Sequence, residues 1–302
     1  MASRLVKALA WTAAACVAYG VFVESRSFRV RRVRLDVLPP GSPSLRVLHL
    51  SDAHLLTRQR SKLKFISALA GLEPDLVVNT GDNLSEAEAL EPLVTGLGRL
   101  LDVPGVFVFG SNDYAGPRPL NPLGYLVSDT GGEGVHADRE KLPTEDLRDA
   151  FVSRGWHDLN GKRASIELRG VKLEFRGTDD AHLEMDDYAA VAGPPAPDAA
   201  VSIGVTHAPY LRVLNAMTDD GVELIFAGHT HGGQVCVPGW GALVTNCDLP
   251  TDQAKGASVH TTAHGSSWLH VSAGFGTSPY APYRFACPPE VTLLTLRAVS
   301  NG

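Results

Sequence analysis

The sequence predicts an α/β protein built as a four-layer α/β/β/α sandwich, two sheets face to face with helices outside. Three observations predict it. Five short apolar runs each end in polar side chains. Val47-Leu48-His49-Leu50 precedes Ser51-Asp52-Ala53-His54, Leu76-Val77-Val78-Asn79 precedes Thr80-Gly81-Asp82-Asn83, and Val106-Phe107-Val108-Phe109 precedes Gly110-Ser111-Asn112-Asp113. Val201 to Val205 precedes Thr206-His207, and Leu224-Ile225-Phe226-Ala227 precedes Gly228-His229-Thr230-His231-Gly232-Gly233-Gln234. Runs apolar at nearly every position read as strands buried on both faces. Helical spacing separates the early runs, whereas the last third is strand-rich, so βα units give way to a second sheet.

The elements follow in order. Phe28 to Leu38 reads as extended, and Pro39-Pro40-Gly41-Ser42-Pro43 breaks it from the first core strand. Arg58 to Ala70 carries Leu63, Ile66, Leu69 and Ala70 at helical spacing, ended by Gly71 and Pro74. A second helix is expected over Ser85 to Leu101, with Ser85 as N-cap and Glu86 and Glu88 in the first turn, where carboxylates complement the helix dipole. Gly116 to Gly134 is rich in Gly, Pro and Asn and reads as a pocket-shaping loop. Thr144 to Arg154 is a helix. Arg163 to Leu168 and Val171 to Arg176, joined at Gly170, read as a β-hairpin. Strands follow near Val201, Leu224, Val235, Trp268 to Val271 and Val291 to Leu296, and no repeat of 20 to 50 residues is present.

The chain has 302 residues, 44% hydrophobic and 20% charged, with a net charge of −6. That balance, without a long basic run in the body, disfavours nucleic acid as a partner. Cys16, Cys236, Cys247 and Cys287 show no C-x-x-C spacing, which argues against a structural zinc site. Cys236 and Cys247 either pair in an oxidising compartment or act as small buried hydrophobes. Leu5 to Val23 is apolar except at Lys7 and Thr12, about the minimum length of a bilayer span. The expectation is an uncleaved single-pass anchor over residues 1–40, followed by a catalytic domain over 41–302. The arginines at 26, 29, 31, 32 and 34 either flank that span or belong to a folded strand, so the membrane side stays open.

The chemistry lies at the ends of the runs. Open α/β sheets place their sites at the carboxyl ends of strands. Asp, His, Asp, Asn, His, His and His at five such ends are enough for two metal ions. The Gly-His-Thr-His-Gly-Gly stretch is the most telling, since glycine lets the backbone turn both imidazoles toward one point. His49 alternates away from Asp52 and reads as a core histidine. His157, His260, His264 and His270 lack partner spacing and read as surface or structural. Ser51, Thr80 and Thr230 read as donors that orient the ligands. Asp179 and Asp180 either line the site or cap a turn, and Arg284 either forks onto phosphate or closes a surface ion pair.

The ordered series Asp-x-His, Gly-Asp-Asn, Gly-x-Asn-Asp, Thr-His-Ala-Pro and Gly-His-Thr-His-Gly-Gly-Gln resembles the calcineurin-like metallophosphoesterase superfamily, in particular its bacterial membrane-associated branch. The resemblance spans about residues 45 to 297 and includes Gly177-Thr178-Asp179-Asp180 and the tail Gly274 to Ser278 through Arg284-Phe285. It implies that Asp52, His54 and His231 hold one metal, that Asp82 bridges, and that Asn112, His207 and His229 hold the other. A carboxylate has two oxygens, so Asp82 can bind two cations about 3.5–4 Å apart. Such a pair acidifies a shared water and stabilises phosphoryl charge. Asp, Asn and His without thiolate suit Mn, Fe or Zn rather than calcium. The implied activity is hydrolysis of a phosphomonoester or phosphodiester, with a membrane-associated substrate expected from the N-terminal segment.

One motif departs. The family usually has Gly-Asn-His-Asp where this chain has Gly110-Ser111-Asn112-Asp113. Aligned without a gap, Ser111 replaces the ligand Asn and Asn112 the catalytic His. Shifted by one, Asn112 is the ligand and Asp113 takes the His position. The shift is preferred because an amide oxygen is an ordinary metal ligand and a serine hydroxyl a poor one. Asp113, or His136 or His182 from elsewhere, is then the expected acid. The missing histidine also leaves room for a metal-binding scaffold with little turnover.

Overall fold

A computed structural model describes residues 2–117 and 139–300. Two six-stranded sheets face each other. The first runs in the order β1 (Arg29–Leu38), β14 (Glu290–Ala298), β2 (Leu45–Leu50), β3 (Leu76–Asn79), β4 (Gly105–Phe107), β5 (His157–Asp158). The second runs β12 (Gly256–Thr261), β13 (Ser266–Val271), β9 (Leu224–Ala227), β8 (Val201–Val205), β7 (Val171–Gly177), β6 (Lys162–Leu168). The centre of each sheet is parallel: β2, β3, β4 and β5 in one, and β13, β9, β8 and β7 in the other. A ribbon of β10 (Cys236–Val237) and β11 (Gly241–Ala242) follows the His-x-His loop.

The continuous apolar runs are explained by burial on both faces. In β2 and β3, Val47, Leu76 and Val78 point between the sheets, where they meet Leu173, Phe175, Ile203, Val205 and Phe226. The alternate residues Leu48, Leu50 and Val77 face helices α2 (Arg60–Ala68), α3 (Leu90–Leu97) and α5 (Thr144–Val152) through Ile66, Leu93, Leu97, Leu147 and Phe151. On the far side, Ile225, Ala227, Leu269 and Val271 bury Val213, Leu214 and Met217 of α6 (Leu211–Asp219). Each buried side chain of this size contributes about 1.5–3 kcal/mol, which makes the four layers one cooperative unit.

Several boundaries differ from expectation. The helix expected over Ser85–Leu101 is split into a 3-10 turn at Ala87–Ala89, α3, and a 3-10 turn at Gly98–Asp102. Gly98 at φ 45° ends α3, and Ser85 instead donates its backbone N–H to Leu55. Most of the expected Gly116–Gly134 loop, and His136, lie outside the described residues.

The N-terminal segment is the largest difference. Helix α1 (Ala2–Phe22) forms, but no helix among the described residues is long and apolar enough to cross a membrane, so the expected anchor gains no support. Its end is tied to the domain. Arg284 N–H donates to the Gly20 carbonyl at 3.2 Å, and the N–H groups of Ala286 and Cys287 donate to the Glu24 carboxylate at 3.0 and 2.6 Å. The arginines at 29, 31, 32 and 34 lie on β1, which pairs in parallel with β14, and Arg31 forks onto Glu290 with two bonds of 2.8 Å. Residues 29–38 are therefore an edge strand of the first sheet.

Candidate metal centre

The carboxyl ends of β2 and β3 and the loop after β4 meet those of β8 and β9 at one end of the sandwich. Asp52, His54 and His231 bring one ligand atom each to within 4.8 Å of the others, and so do Asp52, Asp82 and His207. Asp82 Oδ2 lies 3.4 Å from His54 Nε2 and 3.6 Å from His207 Nε2, between the two groups. His54 Nε2 is 3.2 Å from His231 Nε2, which is 3.7 Å from Asp52 Oδ1. All five of these side chains are buried.

The backbone is bent to achieve this. Asp52, His54, Asp82, His229 and His231, five of the seven expected ligands, have φ between 41° and 67°. Non-glycine residues avoid that region at a cost of order 1–3 kcal/mol each, so its concentration here marks a functional site. The flanking glycines permit the loops to close. A Cβ on Gly228 would lie 1.9 Å from Ser51 Oγ, and one on Gly110 would lie 2.4 Å from Asp82 Oδ1.

Surrounding groups aim the ligands. His207 Nδ1 donates to the Thr80 carbonyl at 2.6 Å, which turns Nε2 toward Asp82. That Nε2, and His54 Nδ1, are buried with no hydrogen-bond partner. His229 N–H donates to both Asp52 oxygens at 3.1 and 3.2 Å. The His229 side chain joins neither close group: its Nε2 lies 3.1 Å from the Asn246 carbonyl. A carbonyl only accepts, so that nitrogen carries the proton and Nδ1 carries the lone pair.

The charges are strongly coupled. Burial pushes Asp52 up to about 6. Burial also opposes ionisation of Asp82, but the imidazoles of His207 and His54 and two hydrogen bonds from Asn112 outweigh it and hold the carboxyl well below the usual range. His207 is the counterpart. Burial lowers it, yet Asp82, Asp180 and Asp52 raise it to about 9. Burial drives His54 down to about 4 and His231 well below its ordinary value. Two carboxylates face imidazoles that are neutral at His54 and His231 and protonated at His207 until a cation displaces the proton, a donor set that fits a divalent cation.

The third motif is placed differently from expectation. Asp113, expected as an acid, is fully buried and aimed away from the cluster. Its Oδ2 accepts from Asp82 N–H at 2.7 Å and Gly110 N–H at 3.0 Å, and its Oδ1 accepts from Asn83 N–H at 2.8 Å and Asn83 Nδ2 at 3.1 Å. Four N–H groups occupy both oxygens, so the carboxylate clamps two loops. Asn112 donates from its backbone at 2.7 Å to Asp82 Oδ1 and from Nδ2 at 2.8 Å to Asp82 Oδ2. Its Oδ1 accepts from Arg139 at 2.9 Å.

Other residues resolve open alternatives. Asp180 caps a 3-10 turn through His182 N–H at 3.0 Å, and Asp179 accepts from Tyr114 at 2.6 Å. Arg284 is neither a phosphate fork nor a surface pair. It is wholly buried and donates to the carbonyls of Ala273 and Gly276 at 2.7 Å and of His231 at 3.3 Å, which pins the His-x-His loop. None of the four cysteines is in a disulfide. Lys62 and Arg139 were not legible in advance. Lys62 is buried and donates to the Ala53 carbonyl at 2.6 Å beneath the first ligand loop. Both act through carbonyl or amide groups distant in sequence, which leave no pattern.

A two-sheet sandwich whose strand ends converge on carboxylates and imidazoles defines a metal-dependent hydrolase of phosphate esters. Residues 45–233 match the calcineurin-like phosphoesterase family model, and the chain belongs to that family. It is 27% identical over 275 residues to an uncharacterized metallophosphoesterase, YkuE, of Bacillus subtilis (strain 168), covering 89% of this chain and 84% of that protein. It is 26% identical over 307 residues to phosphodiesterase YaeI of Escherichia coli (strain K12), covering 97% and 98%. With UDP-2,3-diacylglucosamine pyrophosphatase LpxG of Chlamydia trachomatis it shares 25% over 288 residues, 83% of each chain.

Proposed function

We propose that this chain cleaves phosphodiester or phosphoanhydride bonds with two divalent cations, Mn, Fe or Zn, held by Asp52, His54, Asp82, His207, His229 and His231. The observation that carries this is the position of Asp82 Oδ2 between His54 Nε2 and His207 Nε2. Cations bound here supply a water acidic enough to attack at neutral pH and positive charge against the phosphoryl oxygens. The protein's part is orientation: Asn112 and Asp113 fix the Asp82 loop, Ser51 and Thr80 the Asp52 loop, and Arg284 the His231 loop.

Neither register of the third motif provides an imidazole for the leaving group. A phosphoryl leaving group has a low pKa and needs no proton, which favours an anhydride over any alkyl ester, mono- or diester. The name of LpxG, a pyrophosphatase, agrees with that class, and the name of YaeI with the diester. His182, whose ring centre is 4.6 Å from that of His229, is the imidazole we assign to protonating poorer leaving groups. The test is turnover of bis(p-nitrophenyl) phosphate, p-nitrophenyl phosphate and a nucleotide diphosphate sugar with each metal. Turnover of the nucleotide diphosphate sugar is the expected result; bound metal with no turnover of any of the three selects the scaffold reading instead. His182→Ala should slow alkyl esters about 10²-fold and aryl esters little.

Two observations support a lipid-linked substrate. Trp11, Val17 and Phe22 of α1 are more than 60% exposed. A cavity of about 460 Å³ at the root of α1 is lined by Arg26, Arg58, Arg60 and Lys62, with no carboxylate among its lining residues. Flotation with anionic vesicles, lost when residues 1–18 are removed, is the expected result.

A further inference from the structure

Between the sheets a row of polar groups leads away from the metal cluster. Ser51 Oγ donates to Asp52 Oδ2. Thr80 Oγ1 is 2.7 Å from Ser51 Oγ, His49 Nε2 is 3.0 Å from Thr80 Oγ1, and His270 Nδ1 is 2.9 Å from His49 Nδ1. All five residues are buried, and His270 stands on β13 of the opposite sheet.

The protons in this row have one consistent placement. The Asp52 carboxylate only accepts, so Ser51 spends its single proton on it. Ser51 Oγ must then receive a proton from Thr80, whose carbonyl alternative, Leu50, is farther at 3.5 Å. With its own proton spent, Thr80 Oγ1 accepts from His49 Nε2–H. Burial keeps His49 neutral, so its Nδ1 holds a lone pair and accepts from His270 Nδ1–H. His270 Nε2 is left without a partner. Every bond points the same way, from the second sheet to a metal-ligating carboxylate of the first.

We propose that His49 and His270 are positioning residues that lock the Asp52 carboxylate for its cation through the hydroxyls of Thr80 and Ser51. Were either histidine in the other tautomer, one contact in the row would hold two protons or none, and Ser51 would be free to turn from Asp52. The inference rests on the proposed metal centre, but its first readout does not.

Nitrogen-15 NMR of the metal-free protein should show His49 protonated at Nε2 and His270 at Nδ1; His49 protonated at Nδ1 overturns the proposal. The second readout is titration with Mn²⁺ alone. His49→Phe should weaken the tighter site about 10-fold or more. His49→Gln, whose amide N–H reaches toward Thr80, should recover most of that. Activity of His49→Phe should return with excess Mn²⁺ at unchanged KM. If His49→Phe does not fold, Thr80→Val carries the same expectation. A Kd within twofold of the parent for whichever variant folds overturns the proposal. A parent protein that binds no Mn²⁺ overturns the metal centre instead and leaves the tautomer result standing.

Discussion

The two halves of the metal centre are built to different degrees. Asp52, His54 and His231 hold their ligand atoms within 4.8 Å of one another, as Asp52, Asp82 and His207 do, but only the first group contains every ligand expected of it. Around Asp82 and His207 the expected set is looser: His229 turns its Nε2 to the Asn246 carbonyl, and Asn112 is taken up by Asp82 and Arg139. Preorganisation lowers the ordering cost of binding. The first pocket should therefore bind a cation tightly and the second weakly, with Asp82 as the shared wall.

Breaking that shared wall has the largest expected effect. Asp82→Ala should empty both pockets and reduce kcat/KM on the order of 10³-fold, measured by metal analysis and bis(p-nitrophenyl) phosphate turnover. Retention of both metals would remove Asp82 from its bridging place. Next, His231→Ala should abolish the tight phase of Mn²⁺ titration, whereas His229→Ala should weaken only the loose phase, each about 10–100-fold. Equal losses in both phases would erase the distinction between the pockets.

The clamp and the charge give smaller, sharper effects. Asp113→Ala strands buried N–H groups of the Asp82 and Gly110 loops and should cost roughly 3 kcal/mol in urea unfolding. If Asp113 were the acid, turnover at saturating metal would collapse as well; a change of only a few-fold is expected. His207 distinguishes the pockets by proton count. Its folded pKa of about 9 lies above the ordinary 6.5, so in the metal-free protein its stabilising contribution is complete below pH 6.5 and is lost as pH rises through 9. Its Nε2 must lose that proton to ligate, so filling the second pocket near pH 7.5 should release about one proton. The first pocket's imidazoles, held down to about 4 at His54 and well below the ordinary value at His231, should release none. Calorimetry in buffers of different ionisation enthalpy reads the difference.

Much of this was legible in the sequence because it is local. Strand ends, helix spacing and the hairpin at Gly170 leave period and turn signals, and six of the expected ligands sit where those signals end. Signals of that kind blur where elements are short or depend on distant partners. β5 has two residues, β12 alternates only weakly, and α6 was not anticipated although Val213, Leu214 and Met217 have helical spacing. The arginine-rich stretch at 29–34 reads equally as a flank or a strand until β14, more than 250 residues later, pairs with it.

By itself the sequence determined the donor types, the strand ends that carry them and the glycines that let those ends bend, because each depends on neighbours within a few residues. The tertiary structure alone decided that Asp113 clamps backbone, that Arg284 is an internal pin and that His49 leans on His270. Those outcomes depend on which distant segments come within about 3 Å of one another, and a hydrogen bond between residues far apart in the chain imposes no periodicity on either.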